Sequence, residues 1–551
     1  MSSVQTQVQS NVKTENDWTI MVFFAGDPLL SPSMTAQLKA LKDAGFQDNT
    51  TVLVHYDPNE RGIGTTTFEI NRERKAQIQV TGERGTRIGD GKDPFVRNLL
   101  EDSIEGVSKS ASASEALRSF LINGLKYHRA NHYLVFLVGH GVIVGNDFFL
   151  PDRSPESGIS LKQLGEILRE FQHGARLFDG EVELIGLHSC SMSGIEVAYE
   201  LSGAAKYMMA TEGPSFVSSW PYRQLLKKIL NAIDLAKKNK AEVDINEMVT
   251  SIQQLSLHNS TDFMFSGLSA DVCVCSLDPG KIKKLNTPIR NLTKALREGL
   301  KHRRGLELIS LAHLQAQSYF QESYTDLYDF ALCLERQCDK TDTVQQKMAE
   351  ACKAVRDGLE ESPDSVIFQS DFFGPLFQYS HGLSIFFPWS QPIDDFPKGP
   401  ADSMLGRYKK YDFTEALEDD SWLSFLKDYF AATLRMSRQV EESVIKTSQN
   451  GDKLTATAFV GNGASNGSNG AGGEGLDSPP LRKDSPALTK DSPALEKDSP
   501  ALLNSGCGCS VKNYPMQFSI KSPRAEMEYN SETPATVTAQ WQRQPSRAGT
   551  R

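Results

Sequence analysis

Two stretches decide the reading of this chain: Tyr133-Leu134-Val135-Phe136-Leu137-Val138, followed by Gly139-His140-Gly141, and Val182-Glu183-Leu184-Ile185-Gly186-Leu187, followed by His188-Ser189-Cys190-Ser191-Met192-Ser193-Gly194. Each run is apolar and short enough to be a buried strand of a parallel sheet. Each is followed by a helical pattern, so His140 and Cys190 are expected at the carboxyl ends of two strands, the edge where open α/β sheets carry their chemistry. Working outward, Trp18–Gly26 (WTIMVFFAG) and Thr50–Tyr56 (TTVLVHY) read as strands with an amphipathic helix, Ser33–Ala44, between them. Ser112–His128 predicts a helix with Ser112 or Ser114 as its N-cap; Ser160–Phe171 predicts another, and Ile195–Leu201 follows the Cys190 strand directly. Tyr207–Thr211 is the next strand. This βαβα alternation predicts an α/β fold with a mostly parallel central sheet flanked by helices.

Elsewhere, Thr65–Asn71 and Lys75–Val80 read as a hairpin. The second half is mostly helical, from Tyr222 to about Gln254, over Lys281–Leu311 and over Thr325–Leu359. Ala270–Leu277 and Gly382–Phe387 are short strands expected to extend the sheet. Residues 1–17 read as a disordered leader, 18–435 as the folded domain and 436–476 as a flexible linker rich in Gly, Ser and Asn. Residues 477–504 hold four seven-residue units, DSPPLRK, DSPALTK, DSPALEK and DSPALLN. A proline in every unit excludes a continuous helix. The repeats read as a disordered spacer, with a recognition array or a Ser-Pro phosphorylation target as alternatives. Residues 505–551 read as a short tail or small β-like appendage, with runs at Tyr514–Ile520, Ala525–Tyr529 and Ala535–Trp541.

The net charge of −10 argues against a nucleic-acid surface, which would need a basic stripe. No apolar run is long enough for a transmembrane helix. The polar first 17 residues show no secretory pattern, so a cytoplasmic protein is expected. The eight cysteines are then expected as reduced thiols, and none has zinc-site spacing.

A free thiol is mostly protonated at neutral pH, and only the thiolate attacks well. An imidazole can take that proton and return it to a leaving amine. His140 and Cys190 stand 50 residues apart, histidine first, the order and separation seen in caspases. The backbone N–H groups of Cys190 and Gly141 are candidates for holding the oxyanion, glycine allowing close approach. The plainer alternative is a buried structural cysteine beside an unrelated loop histidine.

These residues resemble the clostripain family of cysteine peptidases, which share a caspase-like α/β sandwich. The matching motifs are His140-Gly141, Cys190-Ser191-Met192, Glu196-Val197-Ala198-Tyr199-Glu200-Leu201, Trp220-Pro221-Tyr222, Asp326-Leu327-Tyr328-Asp329-Phe330-Ala331 and Gly382-Leu383-Ser384-Ile385-Phe386-Phe387-Pro388. The resemblance runs from about Trp18 to about Phe430. It implies a cysteine endopeptidase acting on proteins or peptides, with Cys190 as nucleophile and His140 as general base and acid. Glu196 and Tyr199 are kept as structural. Family members often cut themselves between the histidine and the cysteine, and the polar stretch 151–158, with its two prolines and a glycine, is expected to be an irregular loop suited to a nick. Calcium affects some members; no EF-hand-like loop is visible here, no cofactor is expected, and calcium is kept only as a weak option.

The family usually carries an acid two residues before the cysteine, in the pocket for the residue preceding the cut, where it selects Arg or Lys. Here that position is His188. The resemblance therefore assigns His188, Glu212 and Trp220 to the pocket, with Glu212 as a substitute acid or His188 as a packing residue. A neutral or acidic residue at the cut is expected. A role in prokaryotic defence or regulated cell death, with the tail binding a partner, is one setting. A silent scaffold acting through its tail, or a small-molecule hydrolase, are the alternatives.

Overall fold

The computed structural model describes residues 16–25, 30–56, 66–70, 96–98, 112–141, 149–153, 156–258, 269–319, 322–392, 403–449, 525–529 and 537–541. The chain divides into two compact units: Met1–Phe430 with Asn504–Arg551, and Ala431–Leu503. The described part of the second unit continues the last helix, Trp422–Gln449. The leader, the repeats and most of the linker lie outside the described residues.

In the first unit, strands β1 (Asn16–Phe24), β2 (Thr50–Tyr56), β3 (Thr66–Ile70), β4 (Val96–Asn98) and β5 (Ala130–Val138) are followed by a separate hairpin, β6 (Phe149–Arg153) and β7 (Glu156–Ile159). Then come β8 (Glu181–His188), β9 (Tyr207–Ala210), β10 (Ala270–Ser276), β11 (Ser318–Tyr319), β12 (Tyr324–Asp326), β13 (Ile367–Phe373) and β14 (Ser384–Phe386). The main sheet has nine strands in the order β13-β10-β9-β8-β5-β1-β2-β3-β4. Its centre, β2-β1-β5-β8-β9, is parallel throughout, and antiparallel strands extend it at both sides.

Both faces of that centre are covered, which is why its strands are nearly continuous in apolar residues. On β1, Trp18, Ile20, Val22 and Phe24 join a core cluster with Leu38 and Leu41 of helix Ser31–Ala44, and with Leu226 and Ile229 of helix Tyr222–Asn239. Met21, pointing the other way, meets Gly124 of helix Ala113–Tyr127 so closely that a side chain there would overlap it. That helix starts at Ser112, which forms a capping box with Glu115; Ser160 does the same with Gln163 for helix Leu161–Arg176.

Four expectations change. Ser384–Phe386 does not extend the main sheet but pairs with β12 in a separate three-stranded sheet, β11-β12-β14. The outer strand β13 was not expected; half-exposed along most of its length, it lacks the apolar run of a central strand. The stretch Thr325–Leu359 is a short strand and two helices, broken around Cys338–Asp342, where Asp342 caps the second. The expected irregular loop 151–158 belongs largely to the β6–β7 hairpin, in which Asp152 pairs with Ser157 and Arg153 with Glu156. In the tail, Ala525–Tyr529 and Val537–Trp541 form an antiparallel hairpin, while Tyr514–Ile520 lies outside the described residues, as does Lys75–Val80.

Candidate active site

Strands β5 and β8 are parallel neighbours whose register runs to Val138 opposite His188, and the N–H of Gly139 reaches the carbonyl of His188 at 3.4 Å. His140 and Cys190 therefore leave the same edge of the sheet, each two residues beyond a paired position, on strands about 4.8 Å apart. Gly141 lies directly on the backbone of Cys190: a Cβ at residue 141 would sit 1.6 Å from the Cys190 carbonyl oxygen and 2.9 Å from its nitrogen. The two expected loops are thus packed together, backbone on backbone.

The turn after β8 is held from three directions. Ser191 adopts a left-handed backbone, φ 54°. That conformation costs a non-glycine residue about 1–3 kcal/mol and persists where its surroundings over-determine it. Here the N–H of Ser191 donates to Gly213 O at 3.0 Å, and that of Ser193 to Thr211 O at 2.9 Å. On the other side Ser193 Oγ donates to Gly382 O at 2.5 Å, and the N–H of Ser384 donates to Ser193 O at 3.0 Å. Cys190 itself is 4% exposed, and its Sγ accepts from the N–H of Ser215 at 3.2 Å. Cys273, Cys275, Cys333, Cys338 and Cys352 are also buried.

Beside Cys190, across Ser215, opens a narrow cleft. Ser215, Phe216, Ser219 and Trp220 line it. Ser256, Ser269 and Asp271 line it as well. Two of these lining groups, Ser215 Oγ and Trp220 Nε1, are buried without a hydrogen-bond partner.

Of the three residues assigned to the pocket from the sequence, Trp220 lines the cleft, and His188 and Glu212 are not among its lining residues. The His188 ring stacks on Trp220 at 4.4 Å, with Nε2 2.8 Å from Phe216 O and Nδ1 3.2 Å from Tyr222 Oη. Nε2 is thus the protonated nitrogen, and Nδ1 accepts from the tyrosine. Burial pushes its pKa down to about 3, so the ring is neutral and acts as a packing residue. A carboxylate at this position would enter a dry site facing a carbonyl. His188→Asp is therefore expected to destabilise the protein by about 2–4 kcal/mol rather than to create a cation site, as a lowered melting temperature would show.

Glu212 is fully buried. Its Oε2 accepts from the N–H of Gly382 at 2.9 Å and from Tyr319 Oη at 3.2 Å. Burial, then the neighbouring Asp326 and Asp271, push its pKa well up, so it holds its proton. The acid that does line the cleft is Asp271, on β10. Its two oxygens accept the N–H groups of Glu212 (2.6 Å) and Gly213 (3.0 Å). Burial raises its pKa to about 6, against the lowering effect of those two donors. Sequence reasoning missed Asp271; the available signal was a lone acid inside the apolar strand Ala270-Asp271-Val272-Cys273. Glu196 and Tyr199 are structural, as expected: Glu196 Oε1 accepts from Phe386 N–H and Tyr408 Oη, and Tyr199 Oη donates to Asn286 Oδ1.

Among the described residues, no group of three or more His, Cys, Asp or Glu is placed to hold a metal, and no helix is long and apolar enough to cross a membrane.

Comparison with known proteins places this geometry in context. The model of the clostripain family, Peptidase_C11, matches residues 44–462. Among solved structures, an inactive zymogen C11 protease from Parabacteroides distasonis is 17% identical, with a TM-score of 0.47 over 74% of this chain and 99% of that one. A secreted C11 cysteine protease from Bacteroides thetaiotaomicron, in complex with an irreversible peptide inhibitor, is 14% identical, with a TM-score of 0.47 over 74% of this chain and 99% of that one. Comparison with curated proteins gave no match.

Proposed function

This chain belongs to the clostripain family of cysteine peptidases, and on that premise we propose that it is an endopeptidase working through Cys190 and His140. The observation that carries this reading is the parallel register of β5 and β8, which brings both residues to one sheet edge with Gly141 against the Cys190 backbone. In the reaction, the reduced Cys190 thiol passes its proton to His140, and the thiolate attacks the substrate carbonyl. The N–H groups of Cys190 and Gly141 stabilise the oxyanion. As the C–N bond breaks, His140 returns the proton to the leaving amine. Water then attacks the thioester with His140 as base, releasing the acid and restoring the thiol. The cleft beside Ser215 receives the side chain of the residue before the cut.

The test is a thiol-reactive peptide probe applied under reducing conditions. Labelling at Cys190 that falls away in His140→Ala supports the reading. Undiminished labelling and turnover in that variant would exclude His140. The expected loss in kcat/KM for His140→Ala is on the order of 10²–10⁴-fold, the range for removing a positioned proton-transfer group.

A further inference from the structure

We propose that Asp271 is a positioning residue for the reaction: it fixes residues 211–215, whose backbone in turn fixes the turn that carries Cys190. The proposal rests on the reading of Cys190 as nucleophile.

Alternate residues of that segment run beside the turn. The N–H of Ser193 donates to Thr211 O at 2.9 Å, and that of Ser191 to Gly213 O at 3.0 Å. Ser215 then meets the sulfur with both backbone groups: its N–H donates to Cys190 Sγ at 3.2 Å, and the thiol donates to Ser215 O at 3.6 Å. The peptide joining Cys190 to Ser191 is thus held from two sides, its N–H by Gly213 O and its carbonyl oxygen against Gly141.

The weak point of this scaffold is Gly213, because glycine has the most backbone freedom to lose. The close packing explains the residue: a Cβ there would lie 2.8 Å from Asp271 Oδ1 and 2.9 Å from the Phe377 ring. Its carbonyl oxygen is set by the Ser191 N–H and by Thr211 Oγ1, at 3.0 Å. Its N–H is set by Asp271, a buried residue of β10 that accepts Gly213 N–H on Oδ1 at 3.0 Å and Glu212 N–H on Oδ2 at 2.6 Å. With the peptides on both sides of Gly213 held, its two soft dihedrals are fixed.

A carboxylate suits this task. Each oxygen accepts one of two converging donors, whereas an amide has a single acceptor oxygen and would turn its NH₂ toward the other backbone N–H. Hydrogen bonds to an ionised acceptor are also about twice as strong as neutral ones. The titratable groups around Asp271 are Glu212 beside it, Asp326 of β12, Tyr319 of β11 and Cys273 on its own strand. Burial raises its pKa to about 6, so it is ionised at pH 8.

The experiment measures kcat and KM at pH 8 for wild type and Asp271→Asn, on two peptides that wild type cleaves and that differ in the residue before the cut. A residue that places the nucleophile acts on kcat. Asp271→Asn should lower kcat at least about tenfold on both peptides, with KM changed less than about threefold. Alkylation of Cys190 by iodoacetamide, followed by peptide mapping, gives a readout free of substrate. Drawing the Ser215 N–H away from the sulfur destabilises the thiolate, so the alkylation midpoint should move to higher pH; loss of a neighbouring negative charge alone would move it to lower pH. Should Asp271→Asn fail to fold, Gly213→Ala, which drives a methyl group against the Asp271 carboxylate, should give the same pattern. A kcat within about twofold of wild type, a loss confined to KM or to one of the peptides, or a midpoint unchanged or lowered would overturn the proposal. Peptide cleavage persisting in Cys190→Ala would instead overturn the assignment of the nucleophile, so the two failures are distinct.

Discussion

Replacing Cys190 with alanine is expected to remove peptide cleavage altogether while the protein still folds. The side chain is small and buried, and its Sγ accepts from the N–H of Ser215 and donates weakly to Ser215 O at 3.6 Å. Losing that acceptor and one sulfur costs about 1–2 kcal/mol, a fraction of the stability of a domain this large. The proposed chemistry loses its nucleophile: Ser189 and Ser191 flank the position, but a hydroxyl is a far weaker nucleophile than a thiolate. The variant should lose activity by a factor of at least about 10⁴, with a melting temperature lowered by only a few degrees, in assays containing reductant. Retained turnover at even a hundredth of the wild-type rate would sink the assignment.

The second large effect is expected at Gly141. An alanine there would bring its Cβ to 1.6 Å from a backbone oxygen and 2.6 Å from a backbone carbon, both of Cys190. No flexible side chain can yield; one backbone must move. A displacement of about 1 Å between a nucleophile and its partner groups costs about 10²-fold in rate, so Gly141→Ala should lower kcat/KM by at least that factor. It should also lower stability by about 2–4 kcal/mol. The split between kcat and thermal stability, measured on the same preparation, separates lost alignment from simple unfolding. A Gly141→Ala protein with near-normal kcat would show that the contact between the loops is not needed for the reaction.

Much of this arrangement was legible in the amino-acid order. The runs ending at Val138 and Leu187 are apolar on both faces, which only a doubly covered parallel strand requires, and their shared ending put His140 and Cys190 at one edge. Ser112, one of the two caps offered for its helix, was readable because a capping side chain acts on its own helix. What failed was whatever depended on distant partners. His188 was assigned to the pocket by its spacing from Cys190, but its neighbours Trp220 and Tyr222 arrive from another segment and enclose it. Asp271 was overlooked because its role depends on backbone amides 58 and 59 residues away. Ser384–Phe386 was assigned to the wrong sheet because a short apolar run carries no record of its pairing partner.

The ties around Ser193 bear on when the molecule becomes dangerous. The segment after Cys190 is fastened by Gly382 and Ser384, residues made long after it in the chain. Phe386 N–H closes the same region onto Glu196 of the helix that follows Cys190. During synthesis the nucleophile emerges from the ribosome well before these anchors exist, and its turn, with a left-handed serine to maintain, has nothing to hold it on that side. A chain interrupted before Gly382, by a stalled ribosome or a premature stop, therefore carries both chemical groups without the frame that aligns them. On the proposed reading, such a partial product is expected to lack peptidase activity, which peptide cleavage by a protein truncated before Gly382 would measure.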